Sequence, residues 1–256
     1  YRVRRQMLHV QDSDVSFLQL LSKPLQRELK YHMFSPTLDW HPFFARCTEV
    51  DSEAVRRICA EAVSTITLAG GDLLFAEGEG CSQMFFLTAG RLRYTLAQRD
   101  YHRRSKTQHT GDSETGLRRL ACRNLRAKST EMLEECLEEH EWCCEISIWC
   151  MWTHLGSMIA SNMSEVVAVN SASVIRVASS FHFVARLAAR YADLFMESIL
   201  ESLVEGILIT DMTALPKGMI EDIVARAQMK PGGISARSSR SSRTSNVNDE
   251  QESRSI

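Results

Sequence analysis

The chain has 256 residues, of which 44% are hydrophobic, so it can bury one sizeable core and a smaller helical appendage. Its formal net charge of −2 argues against nucleic acid or an anionic lipid surface as a partner of the whole chain. No apolar run approaches the ~18–20 residues that span a bilayer. The sequence opens at Tyr1 rather than Met, so we expect a fragment that a membrane-spanning part could precede.

Short helices are predicted for the N-terminal segment 1–44. Leu25, Leu29 and Met33 recur every four residues and form one apolar stripe on an otherwise polar helix. The residue before a proline disfavours the helical conformation, so the pair Ser35-Pro36 is predicted to end this helix. A lone folded domain would leave such a stripe, together with Leu18, partly exposed.

A second helix is predicted after Asp51, whose side chain can cap its first turn. Its apolar residues fall on one face at helical spacing: Val55, Ile58, Cys59 and Ala62. The first strand is predicted to begin near Val63 and to run through Leu68.

The segment from Gly71 to Tyr94 is the most informative part of the sequence. Two short apolar runs, Leu73–Phe75 and Met84–Leu87, flank an acidic glycine turn, and Gly90 marks a second turn. Glycine enters positive φ at little cost, so these runs are predicted to be short strands joined by tight turns.

This segment resembles the first half of the β-roll in cyclic nucleotide-binding domains. The residues that match the family's spacing are Gly71, Asp72, Phe75, Glu77, Gly78, Glu79, Met84, Phe85, Phe86, Gly90 and Tyr94. The resemblance implies an α+β fold, an antiparallel, jelly-roll-like β-roll flanked by N-terminal and C-terminal helices. An unrelated pair of β-hairpins is the alternative.

The N-terminal run Leu21–Phe34, followed by Leu38, His41, Pro42 and Phe43, is similar to the C-linker of cyclic nucleotide-gated, hyperpolarisation-activated and ether-à-go-go-type channels. That resemblance implies a regulatory module on the cytoplasmic face of a membrane. Its partners would be the other subunits of a homotetrameric cation channel, such as a potassium channel. A generic helical extension is the alternative interpretation.

The expected domains are therefore a C-linker-like segment 1–44, a cyclic nucleotide-binding-like domain 45–210, a helical extension 211–230 and a tail 231–256. Within the second of these, residues 97–130 form a charged insertion that we expect to be a solvated loop; contact with lipid headgroups or RNA is the alternative. The serine- and arginine-rich tail is predicted to be disordered.

In the resembled family, glycine and glutamate at a helix start bind the cyclic phosphate and the ribose, and an arginine pairs with the phosphate. Here Cys144 stands at the glycine position and Glu145 at the glutamate position, with Ile146 next. His154 stands at the arginine position, ahead of the predicted strand that begins at Gly156 and Ser157. An alternative register puts Asn162 there, so neither register supplies an arginine, and binding of cAMP or cGMP is expected to be weak or lost.

One or two amphipathic helices are predicted over residues 174–208. In the family the last helix closes over the ligand, and Leu187, Leu194 and Phe195 are the residues expected to form this lid; ordinary core packing explains them equally well. Two tryptophans, Trp149 and Trp152, are expected to pack the roll against this helix. Stacking on a nucleotide base or on an intrinsic peptide ligand is the alternative.

The eight cysteines include no C-x-x-C pair and no histidine at zinc spacing, so the sequence predicts reduced thiols and no metal site. Cys150 and His154 lie four residues apart, yet nothing positions an oxyanion hole, so no enzyme activity and no cofactor are expected. The sequence favours a channel regulatory module. The alternative is the regulatory domain of a kinase-type signalling protein, which lacks a C-linker.

Overall fold

The computed structural model describes residues 21–96, 133–212 and 215–228. Within these ranges the helices are α1 (Lys23–Leu38), α2 (Pro42–Val50), α3 (Ser52–Glu61), α4 (Ile146–Trp149), α5 (Ser171–Ala178), α6 (His182–Val204) and α7 (Lys217–Gln228). The strands are β1 (Val63–Leu68), β2 (Leu73–Phe75), β3 (Gly80–Cys81), β4 (Gln83–Ala89), β5 (Leu92–Leu96), β6 (Leu133–Leu137), β7 (Trp142–Cys143), β8 (Trp152–Thr153), β9 (Ser157–Ala160) and β10 (Ser164–Asn170).

The strands form an antiparallel roll, so the predicted α+β fold is confirmed. One four-stranded sheet has the order β1-β10-β4-β7 and a second has the order β2-β9-β5-β6, while β3 and β8 pair separately. Consecutive strands β4 and β5 lie in different sheets, and the chain crosses between them at Gly90, whose φ is 93°. A Cβ at Gly90 would lie 2.5 Å from the Met163 carbonyl oxygen, so the turn requires glycine.

The core of the roll lies between the two sheets and consists of aromatic and aliphatic side chains. Phe75 stacks on Phe85 with ring centroids 5.9 Å apart, and Tyr94, Met84 and Leu92 are fully buried beside them. These residues belong to the segment whose glycine spacing predicted the strands. Phe75 and Phe86 lie in strands of the same roll, as predicted.

The helices before and after the roll pack together on one side of it. The predicted apolar face of α3, with Val55, Ile58 and Cys59, is fully buried, and α3 packs against α1, α2 and α5. The long helix α6 packs against α2 and α7. None of the helices in the described ranges is both long and apolar enough to span a membrane.

The prediction that Ser35-Pro36 ends the first helix is wrong. Helix α1 continues through Pro36 to Leu38, and the Asp39 N–H still donates to the Ser35 carbonyl at 2.9 Å. Proline removes one backbone donor, but Phe34 and Leu38 are buried and hold the last turn against the core. The charged insertion 97–130, the tail 231–256 and Leu18 lie outside the described residues.

Candidate functional site

A buried carboxylate, Asp211, stands at the centre of the candidate site. It lies in the segment between α6 and α7, and its side chain is fully buried. Oδ2 accepts from the backbone N–H of Leu155 at 2.7 Å, from that of Gly156 at 3.0 Å and from the Tyr94 hydroxyl at 2.7 Å. Successive N–H groups that converge on one oxygen form an anion-binding cradle, and here the anion belongs to the chain itself.

The second carboxylate oxygen of Asp211 is also bound. Oδ1 accepts from Trp152 Nε1 at 2.9 Å and lies 3.1 Å from Nδ1 of His154. The backbone carbonyl of the same residue accepts from the Cys144 N–H at 2.7 Å. Asp211 therefore uses both its main chain and its side chain to bind the two stretches that the resemblance assigns to the cyclic phosphate.

The predicted ribose ligand, Glu145, is only 1% exposed and faces the helical layer. Its Oε1 accepts from the Tyr191 hydroxyl at 2.6 Å and from Trp149 Nε1 at 3.4 Å. Its Oε2 lies 3.1 Å from Nε2 of His41. Because Nδ1 of His41 accepts the Phe43 N–H at 3.2 Å, the imidazole proton is on Nε2, which lies close to this carboxylate without the alignment of a hydrogen bond.

Burial alone would raise the pKa of Glu145, but the His41 ring and the Tyr191 and Trp149 donors hold it below its usual value. Burial, followed by the adjacent Glu145 charge, raises the pKa of Tyr191. The carboxylate therefore joins α4 to α6 through Oε1, while Oε2 lies against the His41 ring at the start of α2.

Cys144 and His154, the two departures from the family pattern, lie next to each other and next to Cys81. The thiol sulfur of Cys144 is 3.9 Å from Nδ1 of His154, and the three side chains are buried. Cys144 has a φ of 62°, the left-handed region where the family has glycine. The His154 ring stacks on Phe75 with centroids 3.8 Å apart, so its position is fixed.

The electrostatics of this cluster are strongly perturbed. Hydrogen bonding from Cys144 lowers the pKa of Cys81 to about 6, against the effect of burial. Burial opposes a charge on His154, but Asp211 and Cys81 raise its pKa to about 9. Burial raises the pKa of Cys144, and burial together with the Asp211 charge raises that of Tyr94.

The remaining predicted ligand residues lie at the start of α4 and at the start of β9. Ile146 is buried at the start of α4. The side-chain oxygen of Ser157 accepts from the Glu77 N–H at 3.1 Å, which ties β9 to the glycine turn. A Cβ on Gly156 would lie 2.5 Å from the Thr95 carbonyl oxygen, so only glycine lets the chain pass here and present its N–H to Asp211.

The predicted lid residues pack inside the helical layer. Phe195 is fully buried, stacks on Tyr191 with centroids 5.9 Å apart, and lies 6.4 Å from the Trp149 ring. Leu187 is buried, and Leu194 is partly buried against the same core. Helix α6 therefore packs against α4 through these aromatic rings. Asn162, the alternative arginine position, instead accepts from the Arg91 N–H at 2.9 Å near Gly90.

Sequence reasoning missed Asp211 and Tyr94 as site residues. The available signal was a single acidic residue, Asp211, inside the short apolar run Ile207–Met212 that follows a long amphipathic helix. A carboxylate in a segment that must be buried requires donors, and that requirement points to an internal anion site. The sequence does not show which donors it meets, because Tyr94 is 117 positions away.

No protein-family model matches the chain, and no curated protein matches it significantly in sequence. Among solved structures it is similar to the N-terminal domain of a transcriptional regulator from Streptomyces coelicolor, with a TM-score of 0.44 and 18% identity, covering 65% of this chain and 94% of that one. It is also similar to a cyclic nucleotide-binding-like protein from Brucella abortus (TM-score 0.35, 15% identity, 52% and 90% covered). A third is the sensor domain of the transcriptional regulator DNR from Pseudomonas aeruginosa (TM-score 0.39, 14% identity, 61% and 91% covered).

Proposed function

We propose that the chain is a regulatory module of the cyclic nucleotide-binding type whose anion site is occupied by its own Asp211. In this proposal cAMP and cGMP bind weakly or not at all, and the module transmits conformational change through its helices. The observation that carries the proposal is the engagement of the Leu155, Gly156 and Cys144 N–H groups by one residue of the same chain.

The chemistry of the cradle supports this assignment. A carboxylate carries the same sign of charge as a cyclic phosphate and accepts the same backbone donors. In the part of the chain that the structure describes, no lysine or arginine hydrogen-bonds to the Asp211 side chain, and dipoles and His154 offset its charge. A diffusible phosphate would have to displace this carboxylate and would meet His154 where the family has arginine. Both requirements lower affinity.

The context we propose is a cation channel of the voltage-gated or cyclic nucleotide-gated kind, with this module on the cytoplasmic face. It rests on the C-linker-like segment and on the stripe of α1. Leu25 is 54% exposed, Leu29 36% and Met33 46%, so the stripe predicted from sequence is free of the roll. Neighbouring subunits of a homotetramer would cover it. A regulatory domain of a kinase-type protein is the alternative, and it gives no role to this stripe.

Isothermal titration of cAMP and cGMP into wild type, Asp211→Ala and Asp211→Asn tests the anion site. We expect no binding to wild type and measurable binding to Asp211→Ala, which empties the cradle. Asparagine is nearly isosteric and keeps an acceptor in place, so Asp211→Asn is the matched control and should resemble wild type. Low-micromolar binding to wild type that is unchanged in Asp211→Ala would show that the nucleotide binds elsewhere.

Chemical crosslinking of the full-length protein tests the channel context separately. Tetramers that are lost when Leu25 and Leu29 are changed to glutamate support it. A strictly monomeric full-length protein contradicts it, whatever the nucleotide titration gives.

A further inference from the structure

The side chains of Cys81, Cys144 and His154 converge from three separate elements. Cys81 ends β3, Cys144 follows β7, and His154 follows β8. One ligand atom from each, the two sulfurs and a ring nitrogen, lie within 4.8 Å of one another, and all three residues are buried. We propose that this cluster is a binding site for a thiophilic divalent metal ion, with Zn²⁺ as the intended occupant.

The donor set suits zinc. Zn²⁺ takes thiolate and imidazole ligands at about 2.0–2.3 Å, which places the donors of a tetrahedral site roughly 3.3–3.8 Å apart. The three donor atoms therefore need to approach by about 1 Å, a small side-chain adjustment on this scale. Two soft thiolates with one imidazole disfavour Mg²⁺ and Ca²⁺, which prefer oxygen ligands.

The backbone around the cluster is already fixed, so little order has to be gained on binding. The His154 N–H donates to the Glu79 carbonyl at 2.9 Å, and the strand pair β3–β8 places Cys81 opposite Trp152. The Cys144 N–H is held by the Asp211 carbonyl at 2.7 Å. The ligands are thus mounted on strands and a hydrogen-bonded turn, the arrangement that gives precise sites.

A carboxylate already orients the imidazole. Asp211 Oδ1 lies 3.1 Å from His154 Nδ1, and most metal-bound histidines contact a carboxylate or carbonyl in this way. Binding of the dication to two thiolates and a neutral imidazole releases two protons from the cluster, so no net charge is added to the core.

This inference stands apart from the proposed function, because it needs the thiols and not an empty anion cradle. The test uses the full 256-residue chain, reduced and stripped with a chelator, and titrated anaerobically with Co²⁺ as a spectroscopic substitute for Zn²⁺. We expect one equivalent to bind with thiolate-to-cobalt charge-transfer absorption and with the intense visible bands of a tetrahedral site.

Three variants locate the site. Cys144→Gly removes one thiolate while suiting the φ of 62°, so it should fold and lose about half of the charge-transfer intensity and most of the affinity. Cys81→Ser should do the same. The exposed Cys136 is the matched control, and Cys136→Ser should titrate like wild type. Asp211→Asn should weaken binding by about 10–100-fold.

X-ray absorption on the Zn²⁺-loaded wild type gives an answer that does not depend on any variant. A first shell with two sulfurs at about 2.3 Å and nitrogen or oxygen at about 2.0–2.1 Å supports the site. A shell of nitrogen and oxygen alone overturns it. Equal loss of Co²⁺ binding in Cys136→Ser and Cys144→Gly also overturns the proposal. So does a reduced protein that takes up no metal and whose Cys81 and Cys144 form a disulfide on oxidation.

Discussion

The hydroxyl of Tyr94 donates to Oδ2 of Asp211 at 2.7 Å and joins a central strand of the roll to the segment that follows α6. We expect Tyr94→Phe to lower the free energy of unfolding by about 1.5–3 kcal/mol, because a donor to a buried charge is lost. Urea denaturation measures this change. Tyr31→Phe is the control: this ring is partly exposed, and the Arg56 guanidinium lies over it. The change should shift the free energy of unfolding by less than about 0.5 kcal/mol. Equal shifts in both variants would contradict the assigned role of the Tyr94 hydroxyl.

His41 and Glu145 lie 3.1 Å apart where the starts of α2 and α4 meet. His41→Ala should destabilise the protein by about 3–5 kcal/mol, because it leaves a buried carboxylate without one of its partners. Tyr191→Phe, which removes one hydrogen bond to the same carboxylate, should cost less, about 1.5–3 kcal/mol. Thermal and chemical unfolding of both variants provide the comparison.

A surface pair serves as the control for the His41 prediction. Arg93 and Glu134 lie 3.3 Å apart, both nearly half exposed, and Arg93→Ala should cost only about 0–1 kcal/mol. If His41→Ala costs no more than Arg93→Ala, Glu145 does not depend on His41.

The effect of an arginine at position 154 should depend on Asp211. The sequence alone predicts that His154→Arg strengthens cyclic nucleotide binding, because a guanidinium pairs with phosphate. In the structure the new guanidinium would pair with Asp211, which lies 3.1 Å from the present imidazole. We therefore expect no gain from the single change and a clear gain, about tenfold or more, when it is added to Asp211→Ala.

A four-member titration series, wild type, the two single variants and the double variant, measures this coupling. Independent, additive effects of the two changes would show that position 154 and Asp211 do not share a site.

Burial makes the thiols of Cys47 and Cys59 far less reactive than that of the exposed Cys136. It raises the pKa of Cys59 to about 12 and moves that of Cys47 in the same direction, so at neutral pH neither supplies appreciable thiolate. We expect iodoacetamide at pH 7.5 to modify the exposed Cys136 rapidly and to leave Cys47 and Cys59 unmodified until the protein unfolds. Peptide mass spectrometry after timed quenching measures the three rates, and rapid modification of Cys47 in folded protein would contradict this order.

The roll could be predicted from the sequence because its signals are local. Gly78 and Gly90 both adopt positive φ, and the runs between them are strands, as their spacing indicates. The end of α1 could not be predicted from Pro36, since burial of Phe34 and Leu38 compensates for one missing backbone donor.

The site could be predicted only in part. The sequence predicts Cys144, Glu145 and His154 in one cassette, but it does not predict where their side chains point. Cys144 and His154 lie 3.9 Å apart, whereas Glu145 faces the helical layer. Glu145 turns toward His41 because α2 supplies a buried imidazole there. Strand pairing between residues far apart in sequence determines which donors Asp211 meets. It also brings Cys81 next to Cys144. The spacing of residues along the chain does not encode such pairing.

In the function proposed above, Asp211 competes with any free anion for the cradle while it remains tethered between α6 and α7. The short connections to Val204 at the end of α6 and to Lys217 at the start of α7 keep the carboxylate beside its donors. Tethers of this kind hold a group at an effective concentration of about millimolar or above. A free anion present at about a thousandth of that level would need an intrinsic affinity for the cradle roughly a thousandfold higher to occupy it half of the time.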